Sequence, residues 1–124
     1  MTGKRYENLK AFQACDSLVM AVYQAVRTWP KYELYGLTSQ ARRCSFSTAA
    51  NIAEGAGKRG FREFRRYLDI TLGSLSELSY ILRVAHRLEY TSPEEQAGLE
   101  RLIDEAGKLT FGLARSLDQK LKRS

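Results

Sequence analysis

Between Phe61 and Ala85, apolar or small side chains recur at Phe61, Phe64, Leu68, Thr71, Leu75, Leu78, Leu82 and Ala85. Their spacing alternates three and four, the heptad seam of a helix that packs on other helices, and a strand of period two cannot use it. It predicts one helix over 61–88, about 42 Å long at about 1.5 Å per residue. A helix of that length with a single apolar seam has to cover the seam with other helices. The remaining sequence therefore has to supply them.

It does so three times. A first helix over about 9–28 has its stripe at Leu9, Phe12, Cys15, Leu18, Val19, Val22, Val26 and Trp29, with Asn8 as N-cap and Pro30 as its stop. A second, over 38–54, is built of small residues (Ala41, Cys44, Ser45, Ser47, Thr48, Ala49, Ala50, Ala53) and is expected to end with Gly55 at C′. The fourth, over 93–121, opens on Ser92-Pro93-Glu94-Glu95, a capping box with Pro at N1. Its stripe is Leu99, Leu102, Ile103, Ala106, Leu109, Leu113, Leu117 and Leu121. No stretch alternates like a strand. At 124 residues and 44% hydrophobic content there is material for one domain, 1–124. Short connections make sequential helices antiparallel neighbours, so the expected fold is an all-α, up-down four-helix bundle.

Several function classes drop out. No run approaches the roughly 18 apolar residues of a membrane span. Met1–Lys10 lacks the apolar centre of a secretion signal. Cys15 and Cys44 are too few and too far apart for a disulfide framework or a metal site, so a reduced, cytoplasmic protein is expected, with no metal or cofactor. His86 is the single histidine and lies by the core stripe of the third helix; no nucleophile–base pair accompanies it. An enzyme is not expected.

The charge is concentrated. Arg42, Arg43, Lys58, Arg59, Arg62, Arg65 and Arg66 are opposed by only Glu54 and Glu63, a net +5 within a chain of net +6. These seven are the candidate nucleic-acid-binding residues. Arg59, Arg62 and Arg66 repeat at helical spacing opposite the Phe61/Phe64/Leu68 stripe, and Lys58, Arg62 and Arg65 read as unpaired cations. The face is either a phosphate-binding surface or a set of solvated ion pairs. A smaller excess, Arg115, Lys120, Lys122 and Arg123 against Asp118, closes the chain in what reads as a mobile tail of lesser weight.

Three further patterns carry alternatives. Gly55-Ala56-Gly57-Lys58-Arg59-Gly60 spells a dinucleotide fingerprint but lacks the strand that motif needs; it is either an anion-capturing loop or a plain helix-to-helix turn. Gln40, Arg43, Ser47, Asn51 and Glu54 share a polar face of the second helix, as a ligand site or a buried hydrogen-bond network. Ile70, Ile81 and Val84 read as a second apolar line opposite the seam, and Phe46 and Phe111 also leave their stripes, which favours self-association over scattered surface hydrophobes.

Tyr6-Glu7-Asn8-Leu9, Tyr35-Gly36-Leu37-Thr38-Ser39-Gln40, Arg42-Arg43, Asn51-Ile52-Ala53-Glu54-Gly55, Glu63-Phe64, Gly73-Ser74 and Glu77-Leu78 together resemble the four-helix-bundle proteins encoded in intervening sequences of bacterial large-subunit rRNA genes. That family is similar in turn to the accessory variability proteins of diversity-generating retroelements, which partner a reverse transcriptase. The resemblance implies a ring-shaped homo-oligomer, a pentamer, with a basic surface for nucleic acid, RNA before DNA. It implies as the alternative an adaptor that partners a reverse transcriptase. Two departures stand out. Thr48-Ala49-Ala50-Asn51 replaces a proline-bearing run in the second helix, and Ser79-Tyr80 stands where relatives continue Glu77-Leu78 with a second acid.

Overall fold

The computed structural model describes Arg5–Arg123; Met1–Lys4 and Ser124, and with them part of the polar amino-terminal segment, lie outside the described residues. Four helices make the fold: α1 (Lys10–Ala25), α2 (Leu37–Ala56), α3 (Phe61–Arg87) and α4 (Pro93–Arg123), with no strand among the described residues. No described helix is long and apolar enough to cross a membrane.

The ends follow local chemistry. Instead of an Asn8 cap, a 3₁₀ turn over Arg5–Asn8 leads into α1, whose N-cap Leu9 carries no side-chain hydrogen bond. After Ala25 the helix tightens into a 3₁₀ turn (Val26–Thr28), and Trp29 is extended because Pro30 bars it from helical geometry. At the start of α2 the Leu37 N–H donates to Glu33 Oε1 at 3.0 Å. A Cβ on Gly36 would stand 2.9 Å from that same oxygen, so glycine keeps the cap in place. The start of α4 is as expected: Ser92 Oγ accepts the Glu95 N–H at 3.1 Å.

The seam of α3 is buried from Leu68 through Ala85 and meets α1, α2 and α4 in one core. Cys15, Thr48, Thr71 and Thr110, one from each helix, are fully buried near its middle, where Thr71 Oγ1 donates to the Thr48 carbonyl at 2.9 Å. Burial pushes the Cys15 thiol up, partly offset by the neighbouring Thr48 and Thr110 hydroxyls. Contacts along α2 and α3 run in opposite order: Cys44 and Ser47 meet Ser74, Thr48 meets Thr71, and Gly55 meets Phe64 and Tyr67.

Two expectations change here. Gly55 is not a C′ residue but lies inside α2, which runs on to Ala56. Its missing side chain is an inter-helix contact: a Cβ there would fall 2.7 Å from Tyr67 Cβ and 2.9 Å from Phe64 Cδ1. Ile81, expected on an outward line with Ile70 and Val84, is a core residue at 3% exposure. Three helical steps place it about 60° from Leu78, on the flank of the seam rather than opposite it. A charge at Ile81 would therefore test folding, not assembly. Ile70 (41%), Phe46 (58%) and Phe111 (54%) do reach the surface, and Val84 is half-buried.

Candidate nucleic-acid interface

The seven cations of the middle segment do not form one patch. Arg42 and Arg43 stand in the second turn of α2, whereas Lys58 follows its end, about 22 Å further along the helix axis. The two groups have different surroundings.

Lys58, Arg59, Arg62, Arg65 and Arg66 cluster at the α2–α3 elbow. The elbow turns on Gly60, whose φ of 81° is open to glycine and strained for other residues. Arg59 lies in this loop rather than on α3, and Arg62 and Arg66 project from the first turns of the helix into solvent. The close approach at Gly55 lays Tyr67 across the elbow: Lys58 Nζ and Arg66 Cζ stand 5.6 and 5.3 Å from its ring centroid, and its hydroxyl donates to Glu54 Oε2 at 3.3 Å. Cation–π contacts of this kind hold long side chains over a ring.

Pairing reduces the free charge. Arg65, expected to be unpaired, bonds Asp118 of α4 at 2.8 Å through Nε and Asp69 through a second nitrogen. Those hydrogen bonds, Asp118 first, push its guanidinium pKa further up. Arg66 reaches Glu63 at 2.7 Å, and Lys58 sits 3.9 Å from Glu54. Arg59 and Arg62 have no ion pair among the described residues.

The carboxy-terminal cations belong to this same end. Instead of fraying, α4 continues to Arg123. It places Lys120 Nζ 5.0 Å from the centroid of the Phe61 ring at the first residue of α3. Cations in the last turn of α4 also face its negative dipole end, which favours them there. Lys120 thus adds to the elbow some of the charge that Arg65 and Arg66 give up to acids, and Lys122 and Arg123 share its last turn of α4. Sequence position hid this, because α3 and α4 meet here through residues more than fifty positions apart.

The remaining candidates fall along α2. Arg42 Cζ lies 5.9 Å from the centroid of the Tyr23 ring, and its Nε is buried without a hydrogen-bond partner. Arg43 stands between two grooves. One, of about 470 Å³, is lined by Gln40, Arg43, Cys44, Ser47, Ser74 and Glu77. The polar face of α2 contributes to it: Asn51 Nδ2 donates to the Ser47 carbonyl at 2.8 Å, and Ser47 Oγ lies 3.0 Å from Ser74 Oγ. Glu54 does not join that network; it serves Tyr67 and Lys58 at the elbow. Beneath the groove the Cys44 thiol donates to the Ser74 carbonyl at 3.0 Å, and burial, helped by Glu77, pushes its pKa up to about 11. A neutral thiol of that kind is a poor nucleophile. His86 is exposed, with Nδ1 3.1 Å from Thr91 Oγ1, at the opposite end of α3 from the elbow.

The family model of the 23S rRNA-intervening sequence proteins matches residues 7–112. The chain belongs to that family. Among solved structures it is similar to a protein of unknown function of the S23 ribosomal protein family from Bacteroides thetaiotaomicron, at TM-score 0.75 and 20% identity, over 84% of this chain and 97% of the other. At that identity the likeness speaks for the fold alone. No curated protein matches the chain. The family match spans the elbow and stops at Gly112, so Lys120, Lys122 and Arg123 lie beyond it.

Proposed function

We propose that this member of the intervening-sequence family is a non-enzymatic RNA-binding or scaffolding protein that holds phosphates on the end of its bundle made by the α2–α3 elbow and the last turn of α4. The observation that carries the reading is the Lys120–Phe61 contact, which gathers two separate basic segments into one surface. Arg59 and Arg62 present uncompensated guanidinium groups there, and Arg66 and Lys58 lie fixed over Tyr67. Such a surface recognises phosphate charge and little base identity.

The test is charge reversal. Arg59→Glu, Arg62→Glu and Arg66→Glu together abolish retention on RNA while circular dichroism stays helical, because none of the three is buried. Wild-type affinity falls steeply with salt, with a log–log slope near −0.7 for each phosphate neutralised on a single strand. A wild type that shows no salt-dependent binding to any RNA or DNA would turn the elbow into a protein-docking surface. The leading reading would then be an adaptor, with a reverse transcriptase among its candidate partners.

The proposal includes an antiparallel up-down bundle and assembly into a closed homo-oligomer, a pentamer by resemblance to the family. Exposed Ile70 and Phe111 support self-association, since the core is filled without them. Several copies of the basic end on one ring would add avidity. Light scattering at micromolar concentration is expected to give a multiple of the 14.1 kDa chain, and Phe111→Glu to lower it without loss of helicity.

A further inference from the structure

The groove between α1 and the start of α2 is unlike the basic end. It measures about 610 Å³ and is lined by Tyr23, Leu34, Tyr35, Arg42, Arg43 and Phe46, with no carboxylate among its lining residues. Tyr35 is 93% exposed and Phe46 58%, in a chain whose core closes without either. Exposed rings that converge on one groove beside two arginines form a surface able to stack a flat partner.

We infer that this groove is a stacking site for the unpaired bases of single-stranded RNA, an inference that rests on the RNA-binding reading above but uses different residues. The backbone that carries the rings is tied down. Tyr35 sits in the turn that Glu33 ties twice, accepting the Leu37 N–H at 3.0 Å and the Tyr90 hydroxyl at 2.8 Å. Phe46 stands on α2 about three turns beyond it. Arg42 is stacked near Tyr23 and Arg43 has no ion pair among the described residues, so two uncompensated guanidinium groups border the rings. A nucleotide offers the matching pair of features, a flat π-face and a phosphate. A duplex does not, because its bases are already stacked and its edges lie in a deep, narrow groove. A second copy docking the same face on itself would set Arg42 and Arg43 against their own like charges. Phe46, grouped at the sequence level with the self-association residues, thereby takes a different role.

The experiment is fluorescence anisotropy of the full chain with a short labelled single-stranded RNA and with the same sequence annealed into duplex, each across a salt series. Tyr35→Ala is expected to weaken single-strand binding about tenfold, the cost of losing one stacked base. Duplex affinity and the salt slope stay unchanged, and Tyr35→Phe restores the wild-type value. Phe46→Ala behaves as Tyr35→Ala does. If neither alanine variant changes single-strand affinity while the Arg59/Arg62/Arg66 reversal abolishes it, the inference fails and the phosphate reading stands. If the reversal has no effect but Tyr35→Ala does, the phosphate reading fails and the groove stands. A fall in assembly mass for Tyr35→Ala, with RNA affinity intact, would assign the groove to a neighbouring copy and overturn the inference.

Discussion

Two arginine-bearing regions sit on opposite stretches of α2, and they treat charge differently. The elbow holds Lys58, Arg59, Arg62, Arg65 and Arg66, yet Lys58, Arg65 and Arg66 have acidic partners within 4 Å. The Arg42–Arg43 pair is poorer in cations and has no acid partner at all among the described residues; its company is aromatic. Cations counted along the sequence rank the elbow ahead, five against two. Charge left uncompensated in space is closer to even, until the last turn of α4 brings Lys120 to the elbow with Lys122 and Arg123 beside it in sequence. What separates the regions is therefore the chemistry beside the cations: acids and a covering tyrosine at one, exposed rings at the other.

The largest effect that would sharpen this contrast is at the end of α4. Lys120→Glu, Lys122→Glu and Arg123→Glu together should reduce RNA affinity more than tenfold and flatten the log–log salt slope on single strands by about 2, if each cation neutralises one phosphate. A freely moving tail would give a far smaller change. An unaltered slope in filter-binding titrations would remove α4 from the surface and leave the elbow with Arg59 and Arg62 as its principal free charges. The Arg42–Arg43 groove, on the other end of α2, is expected to keep its binding properties in this variant.

Next in size is Gly55→Ala. In an exposed helix interior this change stabilises by up to about 1 kcal/mol, because alanine restricts the unfolded chain and favours helix. Here the added Cβ meets Tyr67 Cβ at 2.7 Å, an atom fixed to the α3 backbone that cannot swing aside. The expected outcome is a destabilisation of about 1–3 kcal/mol in urea titrations, typical of overpacking. Tyr67 also carries Lys58 and Arg66, so RNA affinity should fall at the elbow alone. Stabilisation by Gly55→Ala would mean that α2 and α3 are not held so closely.

Much of the fold was legible because the signals are local and periodic. The α3 seam is buried over Leu68–Ala85, and Ser92 caps α4 through the bond its spacing implies. Misread positions are those where one residue type serves two physical purposes. Gly55 reads equally as a helix end and as room for a crossing helix, and nothing within α2 distinguishes them. Ile81 reads as opposite the seam only if a step of three residues is taken to leave a stripe; it widens the stripe instead. For the candidate site, the sequence showed which residues are basic but not which are neutralised. Arg65 finds Asp118 across 53 positions, and Tyr23, Leu34 and Tyr35 meet Arg42 only because the connection after α1 folds back over α2. Those pairings are set by helix packing, to which charge counting is blind.

The smallest expected effect tests the Arg65 pairing itself. In Asp118→Asn the Nε bond of Arg65 loses its charged acceptor, while Asp69 remains one helical turn away on the same helix. Asp118 is 44% exposed and Arg65 27%, so solvent screens the pair and stability should change by less than about 1 kcal/mol. Removing one negative charge from the basic end has the opposite sign for RNA: affinity should rise severalfold and the salt slope on single strands should steepen by about 0.7, one further phosphate contact. The double variant Asp118→Asn with Arg65→Gln separates two explanations of a gain. If Arg65 itself binds phosphate once released, the gain disappears in the double variant. If the gain persists, the lost carboxylate had been repelling the RNA backbone, and Arg65 serves only to join α3 to α4. A single variant that binds RNA more weakly than wild type would mean that Asp118 holds Arg65 in its working position, and the elbow would then resemble the Arg42–Arg43 groove in depending on how its cations are fixed rather than on how many are free.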